Sequence, residues 1–436
     1  MAVIGNQPLR PLRIAWVSEH ASPLALLGSQ DAGGQNVYVD EVSRGLAQLG
    51  YAVDIFTRRD HADLSEVVAW SPGVRIINLP VGPAQFVPKD QLWPLMPSFR
   101  TELEAWSKRA GLRYDLLHGN FWMSGAVVAE LGAQLAIPVV QIFHAMGKTK
   151  QQHQGAADGS PADRIATETE IIKRVTRVIA QCPAEAAELI DDYGADPHKV
   201  VTIPSAVNIE RFHPLPHELA RQSIGLPPDG LIVAYVGRMM PRKDVRNLVH
   251  AMALVLRQTD LPLRLLLVGG ETDQPDPLLT PEIGVLQSLA QELGISDHLI
   301  FTGKRQPDVL HRYYAAADII VTTPWYEPFG LTPLEAMACG RPVIGSAVGG
   351  IPFTINDGVT GLLVPPRDPP VLAAALLDLL QNGARRLGMG LAARNRVEQL
   401  FTWRTVAERT SALYRQLINE QAAASHGSGA KACGSS

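Results

Sequence analysis

Residues 231–244 read LIVAYVGRMMPRKD, a short apolar run that stops at a glycine and continues into basic residues. The run Leu231–Val236 has the length and composition of a buried strand, and a helical pattern follows the basic residues. Gly237 permits a tight turn, while Arg238 and Lys243 offer positive charge beside a helix N-terminus. This stretch predicts an α/β fold and a site for an anion such as a diphosphate. The alternative is a solvated basic loop.

The same alternation of short apolar runs and amphipathic segments occurs along the whole chain. In the first half, the predicted strands are Arg13–Ser18, Val53–Thr57, Val74–Leu79, Asp115–His118, Pro138–Phe143, Val178–Gln181 and Val200–Ile203. In the second half, they are Leu231–Val236, Leu263–Val268, His298–Thr302, Ile319–Thr323, Pro342–Gly345 and Gly361–Val364. Such strands, separated by helices, are typical of parallel sheets covered on both faces. We therefore predict two Rossmann-like, doubly wound α/β domains that face each other across a cleft, with ligands beyond the carboxyl ends of the strands.

Length and composition set the expected domain boundaries. A chain of 436 residues is longer than one ordinary core requires. The Pro-rich residues 208–230 are interpreted as a linker between a domain of residues 1–207 and a domain of residues 231–403. The Ala-, Gly- and Ser-rich residues 422–436 predict a disordered tail.

Composition and charge argue against several classes of function. A formal net charge of −4 gives no overall electrostatic basis for binding nucleic acid. The N-terminus lacks the pattern of a secretory signal peptide, and no apolar run is long enough to span a membrane. Cys182 and Cys339 are expected to be buried thiols, as in a reducing compartment. We therefore expect a cytoplasmic protein.

A second glycine-containing turn precedes the predicted helix Asn36–Leu49. Gly33 and Gly34 allow backbone N–H groups to approach an anion closely, with the helix dipole behind them. A plain glycine turn into a helix explains the same residues. The G-x-G-x-x-G spacing is absent, which argues against a Rossmann dehydrogenase.

Two carboxylates follow the predicted strand Ile319–Thr323. Glu327 lies in a loop, and Glu335 lies three residues after Thr332, a spacing that predicts a capping box with Thr332 as the N-cap. On that interpretation Glu335 only caps a helix and Glu327 is a solvated loop residue. The alternative is that the two carboxylates accept hydrogen bonds from the hydroxyl groups of a sugar and a ribose.

Taken together, these motifs resemble the family 4 retaining glycosyltransferases, whose fold is called GT-B. The resemblance rests on the E-x7-E spacing within residues 327–344, on Gly237-Arg238 with Lys243, on Gly33-Gly34, and on the ending Phe401-Thr402-Trp403 through Tyr414. It covers residues 12 to 420. It implies that a helix of about residues 404–421 packs back on the N-terminal domain.

The resemblance also implies roles for individual residues. Arg238 and Lys243 would neutralise the leaving diphosphate without a metal ion or other cofactor, and His144 would contact the donor sugar. Glu335 would bind the ribose and Glu327 the sugar hydroxyls. The remaining expected donor contacts come from backbone groups at Gly33, Gly34, Phe329, Gly330 and Leu331.

The N-terminal half looks most like the branch that contains sucrose-phosphate synthases, mannosylfructose-phosphate synthases and inositol-phosphate glycosyltransferases. Many of these relatives use a phosphorylated acceptor. The residues that match their acceptor sites are Asn36, Lys89, Lys148 and Arg164. Two hydroxyl-bearing positions of the relatives are occupied here by Ala145 and Phe121, and Phe353 replaces a common Glu.

The expected function is therefore transfer of a hexosyl group, with retention, from a UDP- or GDP-linked sugar to a small sugar or polyol, either free or phosphorylated, by a monomer or homodimer. One alternative is a peripheral-membrane transferase of polysaccharide or lipid-linked glycan synthesis, because residues 91–113 combine aromatic and basic side chains. The other is an inactive nucleotide-sugar-binding module.

Overall fold

The computed structural model describes residues 10–24, 33–155 and 158–432. Within these ranges the chain forms two compact units. One contains the residues up to Pro204 and those from Trp403 onward, and the other runs from Ser205 to Thr402. Each unit therefore has its own sheet and its own core.

The sheet of the first unit is parallel except at one edge. Its described strands are β1 (Arg13–Val17), β2 (Ala52–Arg58), β3 (Val67–Ser71), β4 (Val74–Leu79), β5 (Leu116–Asn120), β6 (Val139–Ile142), β7 (Arg177–Ala180) and β8 (Val200–Thr202). Their order in space is β3-β4-β2-β1-β5-β6-β7-β8. The edge strand β3 pairs antiparallel with β4 and was not predicted. It follows from the tight turn at Gly73, whose φ of 80° suits glycine.

The sheet of the second unit is parallel throughout its described strands. These are β9 (Leu231–Val236), β10 (Leu263–Val268), β11 (Leu299–Gly303), β12 (Ile319–Thr322), β13 (Val343–Ser346) and β14 (Gly361–Val364), in the spatial order β11-β10-β9-β12-β13-β14. Every predicted strand of both units agrees with an observed one to within two residues at each end.

Helices cover the faces of both sheets. Those of the first unit are α1 (Gly34–Gln48), α2 (Met96–Arg109), α3 (Trp122–Leu135), α4 (Gly147–Gln154), α5 (Arg164–Arg174) and α6 (Pro183–Ala187). Those of the second unit are α7 (His217–Ser223), α8 (Val245–Leu256), α9 (Pro281–Glu292), α10 (Leu310–Ala316), α11 (Leu331–Ala338), α12 (Ile351–Thr354), α13 (Pro369–Gln381) and α14 (Gly383–Leu400). The chain then returns to the first unit as α15 (Trp403–Ala432). No helix among the described residues combines the length and hydropathy required to cross a membrane.

Helix α15 packs closely on α1. The apolar side chains of α15 recur at helical spacing and are buried, including Val406, Ala407 and Tyr414. Gly45 of α1 makes the close approach feasible, because a Cβ atom there would lie 2.6 Å from the Cβ of Ala407. The helix that the resemblance implied is therefore part of the first unit.

Two sequence predictions about chain segments were wrong. The predicted linker 208–230 contains helix α7, which packs on α10 through Ala220, with Leu215 and Ile224 beside it, so this segment belongs to the second unit. The predicted disordered tail is helical up to Ala432, in keeping with the high helix propensity of its alanines. The last residues, including Cys433, lie outside the described part of the chain.

The aromatic and basic segment 91–113 forms helix α2 with its apolar face buried. Met96, Phe99, Leu103 and Trp106 all belong to the core of the first unit. The aromatic residues of this face therefore stabilise the fold, and they are not available to insert into a membrane surface.

Both sheets have a topological switch point. In the first, the chain passes from β1 to β2 on one side and later enters β5 on the other side of β1. In the second, β10 and β12 flank β9 in the same way. Ligands of open α/β sheets bind beyond the carboxyl ends of the strands at such points, so the segments after β1, β5, β9 and β12 are the ones in which to look for a site.

Candidate functional site

The predicted diphosphate loop leaves the second sheet at its switch point. Gly237 and Arg238 follow β9 directly, and the Arg238 side chain is exposed. The hydroxyl of Tyr235 donates a hydrogen bond of 2.8 Å to the Arg238 carbonyl, which fixes the turn. Gly237 has a φ of 156°, and a Cβ atom there would lie 2.8 Å from the Tyr235 hydroxyl. The turn thus requires glycine and presents the arginine to solvent.

Lys243 and Glu327 come together at this switch point. The Lys243 Nζ donates to Glu327 Oε2, and their side chains are only 15% and 18% exposed. The Glu327 carbonyl accepts a hydrogen bond of 3.0 Å from the Gly350 N–H. A Cβ atom on Gly349 would collide with the same carbonyl, so the two glycines form a cradle for the Glu327 backbone. The sequence named both charged residues but gave no sign that they pair.

Within the stretch from Phe329 to Glu335, helix α11 begins at an earlier residue than predicted. The helix begins at Leu331 after Gly330, whose φ of 95° lies in the region that favours glycine. The predicted capping box at Thr332 was therefore wrong, because this glycine starts the helix before Thr332 is reached. Phe329 is buried against Phe401, and the backbone of Gly330 and Leu331 lies at the helix start.

Glu335 does not cap the helix, and its side chain forms a hydrogen bond with a tyrosine. Its Oε2 accepts a hydrogen bond of 2.6 Å from the Tyr314 hydroxyl of α10. Burial raises the pKa of Glu335 to about 7, against the opposing effect of the tyrosine hydrogen bond. The carboxyl group is therefore held at the edge of ionisation near neutral pH, next to the turn that carries Glu327.

In the first unit, the glycine turn is held by Asn36. The Asn36 Oδ1 accepts a hydrogen bond of 3.0 Å from the Gly33 N–H, and its Nδ2 donates one of 2.9 Å to the Ser22 carbonyl. Gly34 is the first residue of α1, so both glycines lie at the helix N-terminus as predicted. Asn36 itself is buried. Its observed contacts organise this loop.

His144 follows β6 at the same edge of the sheet. Its Nε2 lies 3.2 Å from Asn120 Oδ1, and its ring contacts Tyr38 edge to face at 5.0 Å. Burial and the neighbouring His20 lower the pKa of His144 to about 3, which keeps the ring neutral. Its φ of 62° is unusual for a residue with a side chain. The backbone is thus held in a strained conformation that points to a positioned side chain.

The predicted acceptor residue Arg164 is buried in an ion pair. Its Nε donates to Glu168 Oε1 at 2.8 Å, and its η-nitrogens donate to Ser160 Oγ at 3.1 Å and to the Ala145 carbonyl at 2.7 Å. Glu168 is fully buried and also accepts from the Gly147 N–H. A guanidinium has five N–H groups, so it retains donors for a further anion.

The other two predicted acceptor lysines lie in different settings. The Lys148 Nζ donates to the Asp192 carbonyl and lies 4.8 Å from the centre of the Tyr193 ring. Lys89 is exposed, and its side chain makes no hydrogen bond or ion pair with the described residues. The structure thus leaves Lys89 available, while Lys148 already has partners.

Sequence reasoning missed two residues at the switch point of the first sheet. Glu19 and His20 follow β1 after one intervening residue, and the Glu19 carboxylate is buried against His20 and Ser124. A charged residue and a histidine shortly after a buried strand were the available signal. Phe121, noted above as a departure from the relatives, contacts both His20 and Arg164.

Comparisons with known proteins identify the family of the chain. The model of the family described as Glycosyltransferase Family 4 matches residues 32–211, and the model described as Glycosyl transferases group 1 matches residues 217–396. The D-inositol 3-phosphate glycosyltransferase of Kineococcus radiotolerans is 37% identical over 94% of this chain and 97% of its own. That of Geodermatophilus obscurus is 36% identical over 95% and 92%.

A solved structure is also similar to this chain over nearly its full length. Sucrose-phosphate synthase from Thermosynechococcus elongatus superposes with a TM-score of 0.81 and 37% identity, covering 94% of this chain and all of that one. Together with the family models, the two α/β units and this structural match show that the chain is a glycosyltransferase of the GT-B fold. The chain belongs to family 4 of the glycosyltransferases.

Proposed function

We propose that this glycosyltransferase moves a hexosyl group, with retention of anomeric configuration, from a UDP- or GDP-linked sugar to a small phosphorylated sugar or polyol. The observation that carries the proposal is the pairing of Lys243 with Glu327 at the switch point of the second sheet, beside the exposed Arg238. This arrangement brings together, from two loops of the second unit, positive charge and a carboxylate that can accept hydrogen bonds from hydroxyl groups. A nucleoside diphosphate sugar needs both.

On the donor side, Arg238 and Lys243 neutralise the charge that develops on the leaving diphosphate. The Lys243 ammonium has three N–H donors, and Glu327 takes one of them in the structure. Glu327 then accepts from sugar hydroxyls and Glu335 from the ribose. Fixed donors aimed at a developing charge stabilise a transition state strongly, so we propose that no metal ion is needed.

The bond changes balance without a protein nucleophile. The bond between the anomeric carbon and the diphosphate oxygen breaks, and the acceptor hydroxyl oxygen bonds to the same face of that carbon. The hydroxyl proton passes to the leaving diphosphate oxygen. His144, neutral and held by Asn120, is proposed to position the sugar.

The acceptor proposal rests on chemistry in the first unit and on the relatives. Lys89 is exposed, and Arg164 retains N–H groups beyond those its described partners use. Relatives named for D-inositol 3-phosphate and for sucrose phosphate match nearly the full chain at 37% identity. A phosphorylated polyol or sugar is therefore the acceptor class that we propose. The buried thiol of Cys339 is in keeping with the cytoplasmic setting that we propose.

The test begins with ligand-induced shifts of the melting temperature for a panel of UDP-, GDP- and ADP-sugars, with and without EDTA. A ligand at ten times its dissociation constant stabilises the native state by about 1.4 kcal/mol, which is readily measured. We expect one nucleotide class to stabilise the protein, and EDTA to leave the shift unchanged. Loss of the shift in EDTA would contradict the metal-free site, and no shift with any nucleotide sugar would contradict the proposed donor.

A second experiment concerns the acceptor. With the donor identified, nucleotide release is compared for D-inositol 3-phosphate, hexose phosphates and their unphosphorylated counterparts. We expect the phosphorylated member of a pair to be used far more efficiently. Equal use of both members would contradict a phosphate-binding acceptor site.

A further inference from the structure

Two hydrogen bonds join the loops that carry Lys243 and Glu327. The Trp325 N–H donates to the Arg242 carbonyl at 3.0 Å, and Nη1 of Arg242 donates to the Tyr326 carbonyl at 3.3 Å. Arg242 directly precedes Lys243, and the dipeptide of Trp325 and Tyr326 directly precedes Glu327. The two charged residues therefore follow backbone segments that are bonded to each other, and Trp325 lies where these segments meet.

Both segments are also anchored in the second unit. Asp244, the residue after Lys243, starts the largely buried helix α8 with a φ of 52°, a left-handed conformation that is unusual for a residue with a side chain. The Pro324 carbonyl, one residue before Trp325, accepts a hydrogen bond of 2.7 Å from the buried hydroxyl of Ser346 in β13. The backbone on either side of the charged pair is thus held by elements of the core.

The indole ring of Trp325 is covered by an arginine from a third loop. Arg367 follows β14, and the central carbon of its guanidinium lies 4.0 Å from the centre of the Trp325 ring, the shortest such distance among the described residues. Arg367 is exposed, and its guanidinium makes no hydrogen bond with any residue that the structure describes. Its φ of 58° is again left-handed. The ring of Trp325 is therefore the group that this guanidinium contacts.

We propose that Trp325 is a positioning residue for the pair of Lys243 and Glu327, and that Arg367 acts through Trp325. The guanidinium fixes the indole ring, and the backbone of Trp325 holds the two loops in the register that brings the ammonium to the carboxylate. Neither residue contacts the substrate in this account. The inference rests on the proposed function, in which this pair meets the diphosphate and the sugar, and it adds two residues to which no sequence motif assigned a role.

The expected effect is on kcat more than on the donor KM. Fixed charges stabilise a transition state only while their geometry is held. Without the stacked arginine, the charged pair spends less time in its productive arrangement. The loss of an exposed cation–π contact corresponds to a roughly two- to fivefold change in an equilibrium. We therefore expect Arg367→Ala to lower kcat roughly two- to fivefold, and Trp325→Leu, which removes the whole ring, to lower it further.

The measurements are kcat and the donor KM, from nucleotide release with the nucleotide sugar that stabilises the protein and D-inositol 3-phosphate, and the melting temperature without ligand. Trp325→Phe keeps an aromatic ring under Arg367 and should restore kcat nearly to the wild-type value. R367A should melt close to the wild-type protein, because Arg367 is exposed. Arg385→Ala is the matched control: Arg385 is an exposed arginine of the same unit that pairs with Asp378, and its loss leaves kcat unchanged.

A double variant tests whether Arg367 acts through Trp325. If it does, W325L with R367A has the kcat of W325L alone, because the ring that the guanidinium fixes is already absent. Separate losses that multiply in the double variant would overturn the proposal. A donor KM that rises in R367A at constant kcat would make Arg367 a ligand of the donor and would overturn it too. So would a kcat that simply follows the melting temperature across the variants, since Trp325 would then be only structural.

These results also separate the inference from the proposed function. If the unchanged protein transfers sugar and R367A keeps the wild-type kcat, the positioning role is overturned while the proposed function stands. If the unchanged protein transfers sugar from none of the nucleotide sugars, the proposed function falls, and the positioning role of Trp325 falls with it.

Discussion

Replacing Arg164 by methionine removes one half of the most buried ion pair described in the first unit. The Arg164 and Glu168 side chains are 3% and 0% exposed, and their contact distance is 2.8 Å. Methionine keeps much of the volume but leaves the carboxylate without its cation. Glu168 retains hydrogen bonds from the Gly147 N–H and from the Tyr193 hydroxyl at 2.6 Å, so the loss is not complete.

The expected loss of stability follows from these contacts of Glu168. Removing one partner of a buried pair costs about 3 to 5 kcal/mol. Because two kinds of donor to Glu168 survive, we expect the lower end, about 3 kcal/mol in the free energy of unfolding. For a unit of this size, that corresponds to a fall in melting temperature of roughly 6 to 12 °C.

Thermal and urea unfolding, followed by tryptophan fluorescence, measure the effect. The double variant Arg164→Met with Glu168→Gln should be more stable than R164M alone, because the uncompensated charge is gone. Arg404→Met is the control: Arg404 pairs with Glu408 at an 88% exposed position of the same unit, and its loss should cost well under 1 kcal/mol. If R164M and R404M have the same melting temperature, or if the double variant is no more stable than R164M, the reasoning about the buried pair is refuted.

Three further outcomes are expected. Lys243→Met should lower turnover by about 10² to 10³ with the fold intact, as measured by nucleotide release and circular dichroism, and near-wild-type turnover would contradict its role. Burial holds the pKa of Glu335 near 7, above its ordinary value of 4.5, so the native state binds this proton more tightly than the unfolded state does. The free energy of unfolding should therefore fall as the pH rises from about 4.5 to about 7. Glu335→Gln should weaken this pH dependence of the melting temperature, and an unaltered dependence would contradict the raised pKa. Lys89→Ala should raise KM for a phosphorylated acceptor without changing the melting temperature, since Lys89 is exposed; an unchanged KM would remove it from the site.

The strands could be predicted from the sequence because buried parallel strands are short, continuous apolar runs. Leu231–Val236 and Gly361–Val364 are predicted to the residue. The edge strand Val67–Ser71 was not predicted, although residues 67–70 are also a short apolar run; in the structure its residues are exposed or only partly buried at the antiparallel edge of the sheet. Helix starts were harder: Thr332 satisfies the sequence rule for a cap, yet Gly330 starts the helix through a backbone conformation that the rule does not consider.

The sequence allowed individual site residues to be named, but it did not allow their contacts with one another to be predicted. Lys243 and Glu327 were both named, although their mutual ion pair depends on two strands brought side by side by the fold. Arg164 was named for a phosphate, and the structure adds the buried Glu168 that orients it. The partner of Glu19, Ser124, lies in a different α/β segment of the sequence, so no local pattern could reveal that pair.

The central claim is glycosyl transfer from a nucleotide sugar to a phosphorylated acceptor without a metal ion. The most direct measurement incubates the protein with the stabilising nucleotide sugar and D-inositol 3-phosphate or a hexose phosphate in EDTA, and detects the product by mass spectrometry and its anomeric configuration by NMR. The account predicts a glycosylated phosphate that retains the donor's anomeric configuration, formed in equal amount to the released nucleotide and strongly reduced in K243M. Product that requires a divalent metal, product with inverted configuration, or release of nucleotide without any glycosylated acceptor would contradict it.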